Sequence, residues 1–246
     1  MTDMTTRQRV DRLLVSRGFF ESRAQAQAAI SAGLVTADGI LVRKASEEIA
    51  ADAPVIARRP HPYVSRGGVK LAAALDYYCI DVTGRVCLDV GASTGGFSEV
   101  LLLRGASCIY AVDVGQGQLH ASLRDRSEIV SLEKTDIRSL SPSRFVQRPD
   151  LATVDVSFIS LKLVLPAVGN LVHPAAAIIA LIKPQYEVGP RDVKKGIVRS
   201  ASARTVACDE IAALLSSQGW RVREPMPSPI SGGDGNLEYF IEAERG

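Results

Sequence analysis

Aromatic residues make up only 5% of the 246 positions, with a single tryptophan, and cysteine is nearly as scarce. The four cysteines, Cys79, Cys87, Cys108 and Cys208, lie far apart and form no CxxC pair. That spacing predicts neither a disulfide framework nor a zinc site, and it suits a reducing compartment. Three histidines are equally scattered, so no metal is expected. An excess of one charge is lacking too: 29 Lys and Arg face 27 Asp and Glu, a net +2. Bulk charge therefore selects no partner. Met1–Arg12 is polar and has no apolar export core. One uncharged run, Leu163–Ile182, nears membrane-spanning length but contains Pro166, Gly169, Asn170, His173 and Pro174. It reads better as a helix ended by Pro174 and then a buried strand, Ala175–Ile182. The expectation is a soluble, cytoplasmic protein with no membrane partner.

What charge there is falls unevenly. Residues 1–62 hold 9 Lys and Arg against 7 Asp and Glu, and residues 63–246 hold 20 against 20. The excess thus lies in the N-terminal quarter, where Arg7, Arg9, Arg12, Arg17 and Arg23 crowd together. Charge alone fits a solvated helix face as well as a nucleic-acid surface. Residues 6–30 read as two short helices broken at Gly18, the first with Val10, Leu13 and Leu14 on one face. Ser22 and Gln25 form a capping box that opens the second, Arg23–Ile30, and Gly33 ends it. Val35–Ala37 and Ile40–Val42 flank Asp38-Gly39, a pair favoured in tight hairpins. This small α+β module spans 1–62, and Arg58-Arg59-Pro60-His61-Pro62 reads as a linker.

From residue 63 the pattern becomes alternating helices and apolar strands. Strands are expected at Val86–Val90, Ile109–Asp113, Ile129–Leu132, Ala152–Val156 and Ala175–Ile182. Helices are expected at Lys70–Tyr78, Gly96–Arg104, Gln118–Asp125 and Ala201–Gln218. Such alternation predicts an α/β domain, 63–246, with a mostly parallel sheet covered on both faces. Trp220–Glu224 and Tyr239–Glu244 lack an intervening helix, so they should pair antiparallel at the sheet's end.

Leu88-Asp89-Val90-Gly91-Ala92-Ser93-Thr94-Gly95-Gly96-Phe97 reads as strand, glycine-rich turn and helix start. Glycines there let backbone approach a ligand at the carboxyl end of the first strand. Ser93 stands where a dinucleotide fingerprint wants its middle glycine, which argues against NAD and FAD. Asp113 ends the second strand, placed for ribose hydroxyls; Asp136 follows the third, placed for an adenine amino group; Asp155 ends the fourth. Each aspartate alone reads more readily as a loop cap. The ordered set suits an adenosine ligand carrying a sulfonium cation.

Five ordered segments carry a resemblance. They are Ser65-Arg66-Gly67-Gly68-Val69-Lys70-Leu71, Gly91–Phe97, Val154-Asp155-Val156-Ser157-Phe158-Ile159-Ser160, Ile182-Lys183-Pro184-Gln185-Tyr186-Glu187-Val188-Gly189 and Gly235-Asn236-Leu237-Glu238-Tyr239-Phe240. Together they closely resemble the TlyA family of rRNA ribose 2′-O-methyltransferases. The resemblance implies an S4-like RNA-binding domain before an FtsJ-like, Rossmann-like methyltransferase domain that uses S-adenosyl-L-methionine. It implies the cofactor site at Gly91, Ser93, Gly95, Gly96, Phe97, Asp113, Asp136 and Asp155, and a catalytic set of Lys70, Asp155, Lys183 and Glu238. The N-terminal segments Arg9-Val10-Asp11-Arg12-Leu13-Leu14, Ser22-Arg23-Ala24-Gln25-Ala26 and Gly33–Gly39 resemble an S4 module. Ribosomal RNA or a ribosomal subunit is then the partner, with Arg7, Arg9, Arg12, Arg17 and Arg23 as candidate phosphate contacts. Few aromatics interleave with them, which favours shape recognition of folded RNA over stacking on single strands.

A ribose hydroxyl is a poor nucleophile, so the site must align oxygen, methyl carbon and sulfur and then take a proton. Lys183 is expected to activate the hydroxyl, oriented by Asp155 and Lys70, with Glu238 holding the ribose or the lysine network. The loop Gly189–Arg199, with Arg191, Lys194, Lys195 and Arg199, reads equally as an RNA clamp or as a disordered basic loop. Three rivals remain: a catalytically silent RNA-binding or assembly protein, a small-molecule methyltransferase, and a membrane-active protein of the haemolysin type, a name some relatives have carried.

Overall fold

A computed structural model describes residues 6–245, which form two compact units divided after Pro62. Met1–Thr5, part of the polar segment in which no export core is read, and Gly246 lie outside the described residues. In the N-terminal unit the order is β1 (Arg7–Arg9), α1 (Val10–Ser16), α2 (Arg23–Ser31), β2 (Val35–Ala37), β3 (Ile40–Leu41), β4 (Glu48–Ala50) and β5 (Val55–Ala57). Arg7–Arg9 is therefore a strand, paired antiparallel with β4, and not the start of the first helix. The β2–β3 hairpin turns on Asp38 and Gly39, both at positive φ (51° and 76°), and β5 completes a three-stranded sheet. The Ser22 hydroxyl accepts from the Gln25 N–H at 3.3 Å, but the Gln25 side-chain Oε1 accepts from the backbone N–H of Glu21, one residue before the cap. Only half of the expected capping box forms. Val10, Leu14, Phe20, Ala26, Ile30, Val35 and Val42 make the core.

The second unit runs α3 (Arg66–Tyr78), β6 (Val86–Val90), α4 (Gly96–Leu103), β7 (Cys108–Val112), α5 (Ala121–Arg124), β8 (Ile129–Leu132), β9 (Leu151–Val154), α6 (Leu161–Leu171), β10 (Ala177–Ile182), α7 (Pro184–Glu187), β11 (Val193–Lys194), β12 (Ile197–Val198), α8 (Ala201–Ser217), β13 (Arg221–Val222), β14 (Met226–Pro227) and β15 (Tyr239–Glu244). One sheet has the order β13-β15-β10-β9-β6-β7-β8, with β14 also on β15. Strands β6 to β10 are parallel, and β15 joins β10 antiparallel, pairing Ile182 with Tyr239. The strand expected at Trp220–Glu224 is only Arg221–Val222, and a further short strand, Met226–Pro227, follows Pro225.

Alternation along β10 explains the layering. Ile178, Ala180 and Ile182 face a core with α6 and α8, while Ala177, Ile179 and Leu181 face one with α3 and α4. Helix α6 continues through Pro166, which removes a backbone bond and disfavours the helix by about 3 kcal/mol. Burial of Leu161, Val164, Leu165, Val168 and Leu171 outweighs that, at roughly 1.5–3 kcal/mol per side chain. The strand order reverses between β6 and β9, so the carboxyl ends of these strands border the crevice where such sheets bind ligands.

Candidate active site

Two side chains leave adjacent strand ends on one side of that reversal. Asp155 follows β9 and Lys183 follows β10, and the two strands run parallel in register. Lys183 Nζ lies 2.6 Å from Asp155 Oδ1, with side-chain exposures of 11% and 21%. It also donates a hydrogen bond to Ser157 Oγ at 2.8 Å. A second pair is more deeply set. Lys70, on α3, donates to Glu238 Oε2 at 2.5 Å, and both side chains are buried. The chain at Gly232 passes so close that a Cβ there would stand 2.5 Å from Glu238 Oε1. The expectation that Lys70 orients Lys183 is corrected: Lys70 binds Glu238, and Ser157 joins Asp155 at Lys183. Lys70 and Asp155 do line one cavity of about 340 Å³, together with Arg66, Gly91, Ser93 and Phe97.

A larger cavity of about 500 Å³ adjoins the Gly91–Gly96 turn, lined among others by Asp113, Val114, Asp136, Ile137, Val156 and Ile159. The Asp113 carboxylate accepts from Ser93 N–H (2.8 Å) and Gly115 N–H (2.7 Å), so it is fixed at the cavity wall. Ser93 makes that bond from a left-handed conformation, φ 47°. Asp136 also lines the cavity, but its carboxylate is bound by the Arg138 guanidinium, which holds it below the usual carboxylate range. The carboxylate expected to meet an adenine amino group is therefore already engaged by that arginine. The glycines answer first to the protein's own packing. A Cβ at Gly91 would stand 2.5 Å from the Asp155 carbonyl oxygen, and one at Gly96 would stand 2.0 Å from Ser65 Oγ. Gly95 starts α4, and the Phe97 ring is buried against Phe240, away from solvent.

Several groups at the site escape sequence reasoning. Asp89, fully buried in β6, accepts from Ser98 Oγ (2.6 Å) and Thr153 Oγ1 (3.2 Å). Burial pushes its carboxyl up to about 7. Phe158 is 89% exposed at φ 64°, and its ring lies 5.4 Å from that of Tyr186 on α7. The basic Gly189–Arg199 segment is an ordered hairpin, β11–β12, rather than an irregular loop. Buried Asn236 accepts from Val198 N–H (3.0 Å) and donates to Gly196 O (2.8 Å), so the hairpin is pinned two residues from Glu238. Of these groups only Phe158, Tyr186 and Asn236 lie inside the resembling segments, and nothing local in the sequence marks the burial of Asp89.

The N-terminal arginines separate into two kinds. Arg9 and Arg23 both bind Asp11, which is 0% exposed and also accepts from Gln27 at 3.1 Å. The guanidiniums, Arg9 first, hold its carboxyl far below the usual range. Arg17 donates to the carbonyls of Ala51 and Ala53, and Arg7 to that of Glu48. Arg12 is exposed and has no partner among the described residues. Four of the five expected phosphate contacts thus also serve the fold, two through buried Asp11 and two through backbone carbonyls.

These features match known proteins. A model of the FtsJ-like methyltransferase matches residues 63–245, and one of the S4 domain matches residues 8–54. The 16S/23S rRNA (cytidine-2′-O)-methyltransferase TlyA of Mycobacterium tuberculosis is 43% identical over 241 residues, 97% of this chain and 90% of the relative. Hemolysin A of Brachyspira hyodysenteriae is 36% identical over 234 residues, 94% and 98% of the two chains. A solved structure described as a hemolysin, from Streptococcus thermophilus, superposes with a TM-score of 0.78 at 38% identity, covering 98% of this chain and 89% of that one. With an S4 domain followed by an FtsJ-like methyltransferase domain, the chain belongs to the TlyA family.

Proposed function

We propose that this protein methylates a ribose 2′-hydroxyl of ribosomal RNA with S-adenosyl-L-methionine. The observation that carries the reading is the Lys183–Asp155 pair at the carboxyl ends of adjacent strands, beside both cavities. The larger cavity fits the cofactor by its donor set. Its walls are apolar at Val114, Ile137, Val156 and Ile159, Asp113 presents a fixed carboxylate, and its one lining cation, Arg138, is tied to Asp136. That suits an adenosine with ribose hydroxyls and no phosphates. Asp113 holds the ribose, and the Asp136–Arg138 pair meets the adenine edge. When bound, the cofactor supplies the electrophilic methyl group.

Lys183, as the neutral amine, takes the proton of the acceptor hydroxyl, and Asp155 lies against the ammonium so formed. Lys70, which lines the smaller cavity and is held by Glu238, contacts the acceptor ribose. Phe158 and Tyr186 offer an aromatic face to a nucleobase. The S4 unit adds phosphate contacts through Arg12, with the outward N–H groups of half-exposed Arg9 and Arg23. The place of action is the cytoplasm, where ribosomal RNA is found. Among the described residues no helix is long and apolar enough to cross a membrane.

The test is a map of ribose methylation in rRNA from cells with and without the protein, repeated with purified protein, cofactor and rRNA. One or more nucleotides should lose the mark in its absence and regain it in vitro. Identical maps together with no transfer in vitro would refute the reading.

A further inference from the structure

The directional bond of Lys183 does not go to the carboxylate beside it. Asp155 Oδ1 lies 2.6 Å from Nζ, yet that oxygen is buried without a hydrogen-bond partner among the described residues. The pair is a charge contact off the hydrogen-bonding line. The hydrogen bond from Nζ goes to Ser157 Oγ, at 2.8 Å. The difference matters because attraction between charges depends mainly on distance and leaves rotation about Cε–Nζ nearly free. A hydrogen bond weakens steeply off its axis and so fixes direction.

Ser157 stands on the turn that leaves β9, two residues past Asp155, and lines the larger cavity with Gly91 and Asp113. The turn is itself braced. Phe158 takes a left-handed conformation and packs on Tyr186, three residues after Lys183. The segment carrying the hydroxyl is thus tied to the segment carrying the amine.

We propose that Ser157 is a positioning residue for methyl transfer: its Oγ takes one N–H of Lys183 and thereby aims the amine's lone pair. A neutral amine has two N–H bonds and one lone pair arranged tetrahedrally with Cε. With one N–H committed to Ser157, swinging the lone pair away from an acceptor hydroxyl requires breaking that bond. The inference rests on the reading of Lys183 as proton acceptor given above.

Single-turnover methylation with cofactor and rRNA saturating tests it in Ser157→Ala and Ser157→Thr. The alanine variant should react about tenfold more slowly, equivalent to ~1.4 kcal/mol of barrier, while the threonine variant recovers most of the rate. Cofactor affinity by calorimetry and RNA affinity should stay at wild-type values in both. An alanine variant with the wild-type rate overturns the proposal, as does a rate loss matched by weaker cofactor binding, which would make Ser157 a cofactor ligand. A readout independent of turnover is the order of the Lys183 ε-methylene, measured by NMR with 13C-labelled lysine. It should fall in Ser157→Ala and persist in Ser157→Thr, and unchanged order overturns the positioning role. Absence of transfer by the wild-type protein on any rRNA would instead refute the proposed function, leaving the NMR result to decide on Ser157.

Discussion

Replacing Lys183 with methionine keeps the length and most of the apolar stem of the side chain while deleting the amine. The structure sets two separate consequences. Asp155 loses the cation 2.6 Å away, and Ser157 loses its donor. The Asp155 side chain is 21% exposed but its Oδ1 is buried, so the stability loss should be about 1–3 kcal/mol. The chemical loss should be larger. Removing a positioned proton acceptor typically slows a reaction a hundredfold or more, on the order of 3 kcal/mol of transition-state stabilisation. Ser157 is a wall of the larger cavity and loses its bond to Lys183, but Asp113 is held by the Ser93 and Gly115 N–H groups, so cofactor affinity should change little. Single-turnover methylation with both ligands saturating isolates the chemical step, and a melting curve reads the stability loss separately. A mutant keeping more than about a tenth of the wild-type rate would have lost under ~1.4 kcal/mol, which would refute Lys183 as the acceptor. A loss of rate in proportion to folded protein would refute it equally.

Asp113→Ala should weaken S-adenosylmethionine binding about tenfold to a hundredfold, since two ribose hydrogen bonds to a carboxylate disappear; calorimetry giving wild-type affinity with an intact fold would remove Asp113 from the site. Arg12→Ala should lower rRNA affinity and flatten its salt dependence by nearly one phosphate's worth without shifting the melting point, whereas Arg23→Ala should melt earlier because buried Asp11 loses a donor; a wild-type salt slope for the Arg12 variant would place the RNA surface elsewhere. Asp89 is raised to about 7 by burial, so the native state keeps its proton where the unfolded chain, near 4, has lost it. Its contribution to stability therefore falls as pH rises from about 4 to 7, by up to ~1.4 kcal/mol per pH unit. Urea melts of wild type and Asp89→Asn across that range should converge at low pH and diverge towards neutrality, and parallel curves would count against a protonated Asp89.

Strand ends were legible because sheet geometry converts sequence position into place. Val86–Val90 and Tyr239–Glu244 are apolar enough to declare themselves, and a residue just beyond a buried strand must stand at the sheet's edge, which located Asp113, Asp155 and Lys183. Partners were not legible. Lys70 and Glu238 are 168 positions apart, and nothing local distinguishes Glu238 from Asp155 as the partner of Lys70. The arginine cluster was only partly legible for the same reason. Whether Arg23 faces phosphate or a carboxylate depends on Asp11 being buried, and burial follows from how α1 and α2 pack. The basic hairpin was hidden because the residues that order it come from Asn236, 38 positions beyond Val198.

The pairing also divides the labour within the four-residue set. Two lysines and two carboxylates sum to zero formal charge, so the site can be partly buried without a large electrostatic penalty. Yet the two pairs stand on separate supports. Lys70 and Glu238 join α3 to the start of β15, are almost wholly buried, and make a direct hydrogen bond. Freeing Lys70 to accept a proton would leave Glu238 as an unpaired buried carboxylate, which is strongly unfavourable. Asp155 is less buried than Glu238, so loss of its cation costs less, although its Oδ1 is shielded from solvent. On the proposed reading, proton transfer therefore falls to the β9–β10 pair, while the α3–β15 pair acts as a fixed wall.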